Sequence, residues 1–171
     1  MLSSAGSFII DLSKVKQENS TYFIEIQQGF YSVRSNIWDQ NSIYVHGDIW
    51  LDIFNALACE FFPDYDFFDF SNIRKEHHQK FAAKLLQLIP IIEKVRNLND
   101  FSQPELLSAS NVPYIQIGNG IWDFIHEGQE ATQETFAQNF SQNIRKIIQS
   151  YQDLADWLIK NKQNSICILD I

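Results

Sequence analysis

The sequence predicts an α+β fold in which a mixed or antiparallel sheet is packed with three longer helices. Short apolar or alternating runs occur through residues 8–45 and again near 112–117 and 166–171, as β-strands require. Other stretches, about 48–62, 71–96 and 132–160, carry apolar residues three or four positions apart, which indicates one buried face of a helix. We expect a single domain over residues 1–171, because this length suits one hydrophobic core.

The first predicted strands lie in the N-terminal third, at 8–13, 22–27, 30–34 and 43–45. These runs are rich in aromatic and β-branched residues, and polar or glycine-containing segments separate them. Several short strands in succession favour an antiparallel meander. The later strand at 166–171 is almost wholly apolar, which is typical of a buried strand.

Capping and breaking residues mark the predicted helices. Asp48 is expected to cap the first helix, and Pro63 to end it. Ser71 is expected to cap the second helix, and Pro90 within that helix predicts a kink or a split. The third helix has Lys160 near its end, where a positive charge suits the helix dipole.

Charge narrows the classes of partner. The formal net charge is −8, and no lysine or arginine lies between Arg34 and Arg74. Binding to nucleic acid is not expected, because phosphates are bound by clustered basic side chains. Membrane association is not expected either, because no apolar stretch approaches the roughly 18 residues of a spanning helix. An acidic protein instead suits a basic protein partner, whose approach opposite charge accelerates.

The cysteines and the N-terminus indicate a cytoplasmic protein. Cys59 and Cys167 lie far apart in the chain beside apolar neighbours, as buried free thiols in a reducing compartment would. The first residues have neither a basic start nor a long apolar run, so no signal peptide is expected. We therefore expect a soluble, cytoplasmic chain.

Metal and cofactor sites are not predicted. Asp64 and Asp66 are spaced like the start of a calcium loop, but its sixth and twelfth positions hold Asp69 and Lys75 instead of glycine and glutamate. His77 and His78 are adjacent, which is not the spacing of a helical zinc site. His77 falls on the apolar stripe as a boundary residue, and His78 is expected to be exposed.

A small hydrolase-like enzyme is the alternative that the sequence leaves open. Asp123, His126 and Glu127 lie close together, and a carboxylate of segment 64–69 completes the set of candidate catalytic groups. No nucleophile motif accompanies them, and Gly118-Asn119-Gly120 is interpreted as a tight turn. The sequence therefore favours a protein without catalytic function.

The strongest functional pattern is the mixture of aromatic and acidic residues in 39–69. Aromatic side chains often anchor protein interfaces, and surrounding carboxylates would select a basic partner. The predicted partner-binding residues are Asp64, Tyr65, Asp66, Asp69, Asp39 and Trp38. The predicted core residues of the same segment are Phe61, Phe70 and one of Phe67 and Phe68.

These features favour an inhibitor or immunity protein that binds and neutralises a basic toxin, such as a nuclease. The hypothesis depends on small size, acidity and the acidic-aromatic segment. A structural subunit of a homo-oligomer is a third alternative, which a large apolar patch related by two-fold symmetry would favour.

Overall fold

The structure is a computed structural model that describes residues 6–17, 22–32, 36–118, 124–126, 129–131 and 133–171. The chain forms, in order, α1 (Leu12–Val15), β1 (Phe23–Gln28), β2 (Ile43–His46), α2 (Gly47–Ile53), α3 (Asn55–Phe61), β3 (Ser71–Ile73), α4 (Lys75–Ile92), two short 3₁₀ helices (Leu98–Ser102 and Pro104–Leu106), β4 (Phe124–His126), β5 (Gln129–Ala131), α5 (Gln133–Gln138), α6 (Phe140–Lys160) and β6 (Ile166–Asp170). This arrangement confirms the predicted α+β class.

The larger sheet of the described chain is antiparallel and has the strand order β2-β1-β6-β3. The C-terminal strand therefore lies between β1 and β3, with Ile26 opposite Ile168 and Ser71 opposite Ile168 from the other side. The predicted buried strand at the C-terminus is confirmed as β6. The predicted meander is wrong beyond the β1–β2 pair, because a strand from the far end of the chain pairs with β1. A separate hairpin pairs β4 with β5.

The main core lies between the sheet and the long helices. One sheet face, called the inner face here, presents isoleucines and valines from all four strands: Ile24, Ile26, Ile43, Val45, Ile73, Ile166 and Ile168. They pack on apolar residues of α4 and α6, among them Leu85, Leu88, Ile147 and Leu154. Every helix of the described chain is too short or too polar to cross a membrane.

The predicted helices are present, but their boundaries differ. The helix expected at 48–62 is two helices, α2 and α3, interrupted at Phe54, whose φ is −123°. The first begins at Gly47 and is capped by the ring nitrogen of His46, so the prediction that Asp48 is the cap is wrong. Gly47 lies so close to the ring of Tyr22 that any Cβ there would overlap it.

The helix expected at 71–96 begins only at Lys75 and continues without a split through Pro90 to Ile92. Residues 71–73 pair with β6 instead, so the prediction that Ser71 caps this helix is wrong. Pro90 lies in the last turn, so the backbone donor that it lacks is lost near the helix end, and Glu93 still donates to the carbonyl of Ile89. The helix expected at 132–160 is also divided, into α5 and α6.

Three predicted strands are not strands where the chain is described. Residues 112–117 make only the isolated bridge between Pro113 and Leu107. This segment is held instead by a hydrogen bond from the amide of Gln116 to the carbonyl of Asp52, and Tyr114 and Ile115 are buried. Residues 8–13 contribute one bridge, Ile10 to Tyr44. Residues 30–32 have no strand, and 33–34 lie outside the described residues.

Candidate partner-binding surface

The last part of the acidic-aromatic segment forms a loop, residues 63–70, between α3 and β3. Tyr65 holds the loop against the core. The indole N–H of Trp50 donates to the Tyr65 hydroxyl at 2.7 Å, and that hydroxyl donates to Oδ1 of Asn55 at 3.1 Å. Burial raises the pKa of Tyr65 above its usual value. Tyr65 was expected to be available to a partner, but its hydroxyl is engaged inside the protein.

Phe67 is the second side chain that holds the 63–70 loop. It is half-buried, packs on the core, and meets the ring of Tyr22 edge-on at 6.4 Å. We expected either Phe67 or Phe68 to pack on the core, and the structure shows that Phe67 does. Phe61 is half-buried against the core, and the more deeply buried residue beside it is Phe62.

Two phenylalanines of the loop face water. Phe68 is 78% exposed and Phe70 is 46% exposed, so the prediction of Phe70 as a core residue is wrong. The backbone around them is fixed, because the amide of Phe68 donates to Oδ1 of Asp66 at 2.9 Å and the amide of Phe70 donates to Oδ1 of Asp69 at 2.7 Å. The loop also closes on β3, since the Asp66 amide donates to Oγ of Ser71 at 3.1 Å. Both rings therefore project from a loop whose backbone is hydrogen-bonded to its own side chains and to Ser71.

Asp64, Asp66 and Asp69 surround these rings and are all exposed. Within the described chain, none of the three carboxylates forms an ion pair. Asp64 has a positive φ of 57°, a conformation that aspartate tolerates better than most residues. The loop thus combines exposed apolar rings with negative charge that no described cation neutralises.

The other predicted partner-binding residues, Trp38 and Asp39, belong to a turn at 36–39 that precedes β2. Ile37 and Trp38 are 47% and 39% exposed. Trp38 has a φ of 63°, and its ring stacks on Tyr44 with a centroid distance of 5.9 Å. Asp39 is half-buried, and its Oδ1 accepts the amide hydrogen of Asn41 at 2.6 Å.

Glu25 of β1 holds this turn and was not among the predicted site residues. It is fully buried, and its Oε2 accepts the Trp38 amide at 2.8 Å while its Oε1 accepts the Asp39 amide at 2.9 Å. The side-chain amide of Gln27 donates to Oε1 at 2.9 Å and to the carbonyl of Asn36 at 2.7 Å. Trp38, Asp39 and Gln27 thus all donate hydrogen bonds to one strand carboxylate.

Tyr44 completes the polar group around Glu25. Its hydroxyl lies 2.9 Å from Oε1 of Glu25 and 2.7 Å from the carbonyl of Asp39, and its single hydrogen serves one acceptor at a time. Burial, and next the hydrogen bond to Glu25, raise the pKa of Tyr44 above its usual value. The only sign of this group in the sequence is a charged residue inside an otherwise apolar strand.

The 36–39 turn and the neighbourhood of Phe70 lie on the same side of the sheet. The sheet face away from the helices is called the outer face here. On it, Glu25 of β1 lies opposite Tyr44 of β2 on one side and opposite Leu169 of β6 on the other. The Tyr31 amide donates to Asn72 of β3, and the rings of Tyr31 and Phe70 are 5.0 Å apart. Since β2 and β3 are the outermost strands, three spacings of about 4.8 Å separate them, about 14 Å in all.

The predicted histidine and cysteine environments are partly wrong. His78 is fully buried, whereas His77 is half-buried. The ring of His78 contacts the Asn164 carbonyl at 2.7 Å and the side-chain amide of Gln79 at 2.8 Å, which explains how it is satisfied inside. Cys167 is buried as predicted, and burial raises its pKa to about 12. Cys59 is exposed, contrary to the prediction.

Most of the candidate catalytic set lies outside the described residues. Asp123 and Glu127 lie outside the described part of the chain, and of His126 the backbone alone is described, at the end of β4. A pocket of about 190 Å³ is lined by Leu98, Phe101, Ser102, Pro113, Ile115, Gln116, Ile117 and Gln133, without an acidic or histidine side chain. No three potential metal-ligating side chains cluster in the described ranges.

No protein-family model, no curated protein and no solved structure matches this chain. The exposed apolar side chains of the predicted partner-binding segments belong to two elements, the 63–70 loop and the 36–39 turn. Together these two elements are called the contact surface below.

Proposed function

We propose that this chain is a non-catalytic binding protein for a basic protein, most specifically an inhibitor or immunity protein that neutralises a basic toxin such as a nuclease. The observation that carries the proposal is Phe68, which is 78% exposed on a loop whose neighbouring residues are tied to the core. A large ring that is held in water suits a pocket on a partner, where aromatic anchors contribute much of the binding energy.

The charge around Phe68 supports a basic partner. Asp64, Asp66 and Asp69 are exposed and make no ion pair within the described chain. Lysine or arginine side chains at the rim of a partner's pocket would meet these carboxylates and accelerate association. A second copy of this chain would bring the same aspartates together, and like charges across an interface are unfavourable.

The size of the contact surface supports a folded protein over a short peptide. The turn precedes β2 and the loop precedes β3, and these two edge strands are about 14 Å apart, within the span of an interface of about 800 Å² per partner. The preorganised loop and turn also reduce the entropy that binding would cost. A toxin domain with a basic active-site cleft would complement the negative charge of this surface.

The test compares two variants that have lost the same charge. Asp64→Asn, Asp66→Asn and Asp69→Asn together raise the net charge by three while keeping the side-chain oxygens that accept from the Phe68 and Phe70 amides. The control variant changes exposed acids elsewhere, namely Glu93→Gln, Glu105→Gln and Asp156→Asn.

Each variant and the original chain is co-expressed with the product of each gene adjacent to its own, and capture and toxin inhibition are measured. We expect the original chain and the control variant to capture a basic neighbour product and to suppress its activity. The loop variant should remain folded and bind more weakly, with a smaller loss of affinity between 0.05 and 0.5 M salt. Capture of no basic neighbour product at low salt, or equal weakening by both variants, would contradict the proposal.

A further inference from the structure

The 36–39 turn differs from an ordinary surface turn in the group that holds it. Consecutive backbone amides, those of Trp38 and Asp39, point at a single buried carboxylate, Glu25, at 2.8 and 2.9 Å. Successive N–H groups that converge in this way form a concave anion site, and here the anion is supplied by the protein itself. Hydrogen bonds to a charged acceptor are stronger than neutral ones.

The conformation held by this group is unfavourable by itself. A tryptophan with a φ of 63° is in the left-handed region, which is unfavourable for residues other than glycine because the Cβ approaches the following carbonyl oxygen. That conformation is adopted where Ile37 and Trp38 are 47% and 39% exposed. Strained backbone persists only where the surrounding structure fixes it, and such residues are concentrated at functional sites.

We infer that Glu25 is a positioning residue, whose carboxylate fixes the 36–39 turn as a second contact element for the partner of the 63–70 loop. The identity of that partner rests on the proposed function, whereas the position of the turn is testable on the chain alone. Glu25 is fully buried, so it acts on the partner only through the turn residues whose backbone amides donate to it, Trp38 and Asp39.

The substitution Glu25→Gln gives a selective prediction. Oε1 of Glu25 accepts from Gln27, Tyr44 and Asp39, whereas Oε2 accepts from Trp38 alone. The glutamine carbonyl oxygen should therefore take the Oε1 position, and its NH₂ group should face the Trp38 amide. Hydrogen exchange of the Trp38 amide should then accelerate about 30-fold, in line with loss of a hydrogen bond to a charged group. Exchange of the Asp39 amide should change less.

Two controls separate positioning from general destabilisation. Asp52→Asn removes the charge of another buried carboxylate, which accepts the Gly118 amide away from the turn, and should leave Trp38 exchange unchanged. Tyr44→Phe removes a hydroxyl near Glu25 but keeps the carboxylate. It provides a milder variant if Glu25→Gln does not fold, with an expected increase of about 5-fold in Asp39 exchange.

The experiment measures amide exchange by NMR, together with ¹⁹F spectra of chains labelled with 5-fluorotryptophan. We expect Glu25→Gln to alter the Trp38 signal selectively, and to weaken capture of the basic neighbour product about 10-fold through lost preorganisation. Unchanged Trp38 exchange, or an equal increase in Asp52→Asn, overturns the positioning role even if the loop binds its partner. Faster exchange with undiminished capture overturns the contact role of the turn. If the original chain captures no neighbour product, the proposed function fails, and the contact role fails with it.

Discussion

The 63–70 loop and the 36–39 turn both display apolar side chains, yet opposite kinds of contact hold them. The loop is held by its own side chains, since Tyr65 and Phe67 pack inward and the Tyr65 hydroxyl meets Trp50. The turn is held by its backbone, whose amides meet the carboxylate of Glu25. In the loop the displayed and anchoring residues are neighbours in sequence, whereas the turn depends on a strand more than ten residues earlier.

This difference determines how each element should respond to mutation. The loop contacts involve uncharged groups and are distributed over several rings, so removal of one hydroxyl leaves the packing of the rings in place. Turn contacts converge on one charged group, and loss of an acceptor leaves several buried donors unsatisfied at once. The turn should therefore be the more fragile of the two elements, although it is the shorter.

The largest expected effect is that of Glu25→Ala. Removal of the carboxylate leaves the Trp38 and Asp39 amides without their acceptor, and we expect the free energy of unfolding to fall by about 3 kcal/mol. Urea denaturation followed by circular dichroism measures the change. Glu105→Ala, at an exposed site, is the control and should stay within about 0.5 kcal/mol of the original chain. A loss below about 1 kcal/mol for Glu25→Ala would show that water replaces the carboxylate easily.

Phe68→Ala should weaken partner binding by the loop without changing the stability of the chain. Because the ring is 78% exposed, the free energy of unfolding should change by less than about 0.5 kcal/mol. Affinity for the captured basic protein should fall about 30-fold, equivalent to about 2 kcal/mol for an interface anchor. Ile159→Ala is the matched control, since Ile159 is an exposed apolar residue of α6, 40% accessible and outside the contact surface. Equal losses of affinity in titration calorimetry would exclude Phe68 as an anchor.

Tyr65→Phe tests the hydrogen bond between Trp50 and Tyr65, an uncharged contact that anchors the loop. The change keeps the ring but leaves the buried indole N–H of Trp50 without its acceptor, so we expect a loss of about 1.5 kcal/mol in the free energy of unfolding. This is about half the effect expected for Glu25→Ala, and thermal and urea unfolding measure both. A larger loss for Tyr65→Phe than for Glu25→Ala would reverse the comparison between loop and turn.

The sequence predicts those parts of the fold that depend on local periodicity. The spacing of apolar residues correctly indicates α4, α6 and β6, because the buried side of each element repeats along the chain. Ser71–Ile73 is missed because its strand conformation depends on pairing with β6, about a hundred residues later. The segment 112–117 is apolar for a different reason, since it fills the core without joining a sheet.

The contact surface is predictable in composition but not in orientation. Acidic and aromatic residues indicate that 61–70 contains exposed positions, yet an irregular loop has no period that shows which of its rings are buried. The sequence therefore predicts Tyr65 on the surface and Phe70 in the core, whereas the structure has Tyr65 packed inward and Phe70 exposed. Glu25 alternates with isoleucines as a water-facing residue would, but the 36–39 turn covers the outer face and buries it.

The smallest expected effect is a pH dependence of stability that is larger in the 63–70 loop than in the 36–39 turn. His46 meets the ring of Tyr22, which in turn meets Phe67 of the loop. Burial lowers the pKa of His46 below its usual 6.5, although the Asp48 carboxylate lies 3.3 Å from Nδ1 of the ring. The same nitrogen accepts the Asp48 amide, and this hydrogen bond requires the neutral ring. Between the lowered pKa and 6.5 the unfolded chain binds more protons than the folded one.

The free energy of unfolding should therefore fall as pH is lowered through 6.5, and exchange at Phe68 should accelerate more than exchange at Trp38 after correction for intrinsic rates. His46→Asn keeps a side-chain acceptor for the helix cap and should reduce this dependence. Burial also lowers the pKa of His78, which packs away from the loop, so His78→Gln should reduce the overall dependence without changing the difference between the two amides. Equal acceleration at Phe68 and Trp38 in the original chain would mean that the loop and the turn open together, and that their separate anchors do not make them independent.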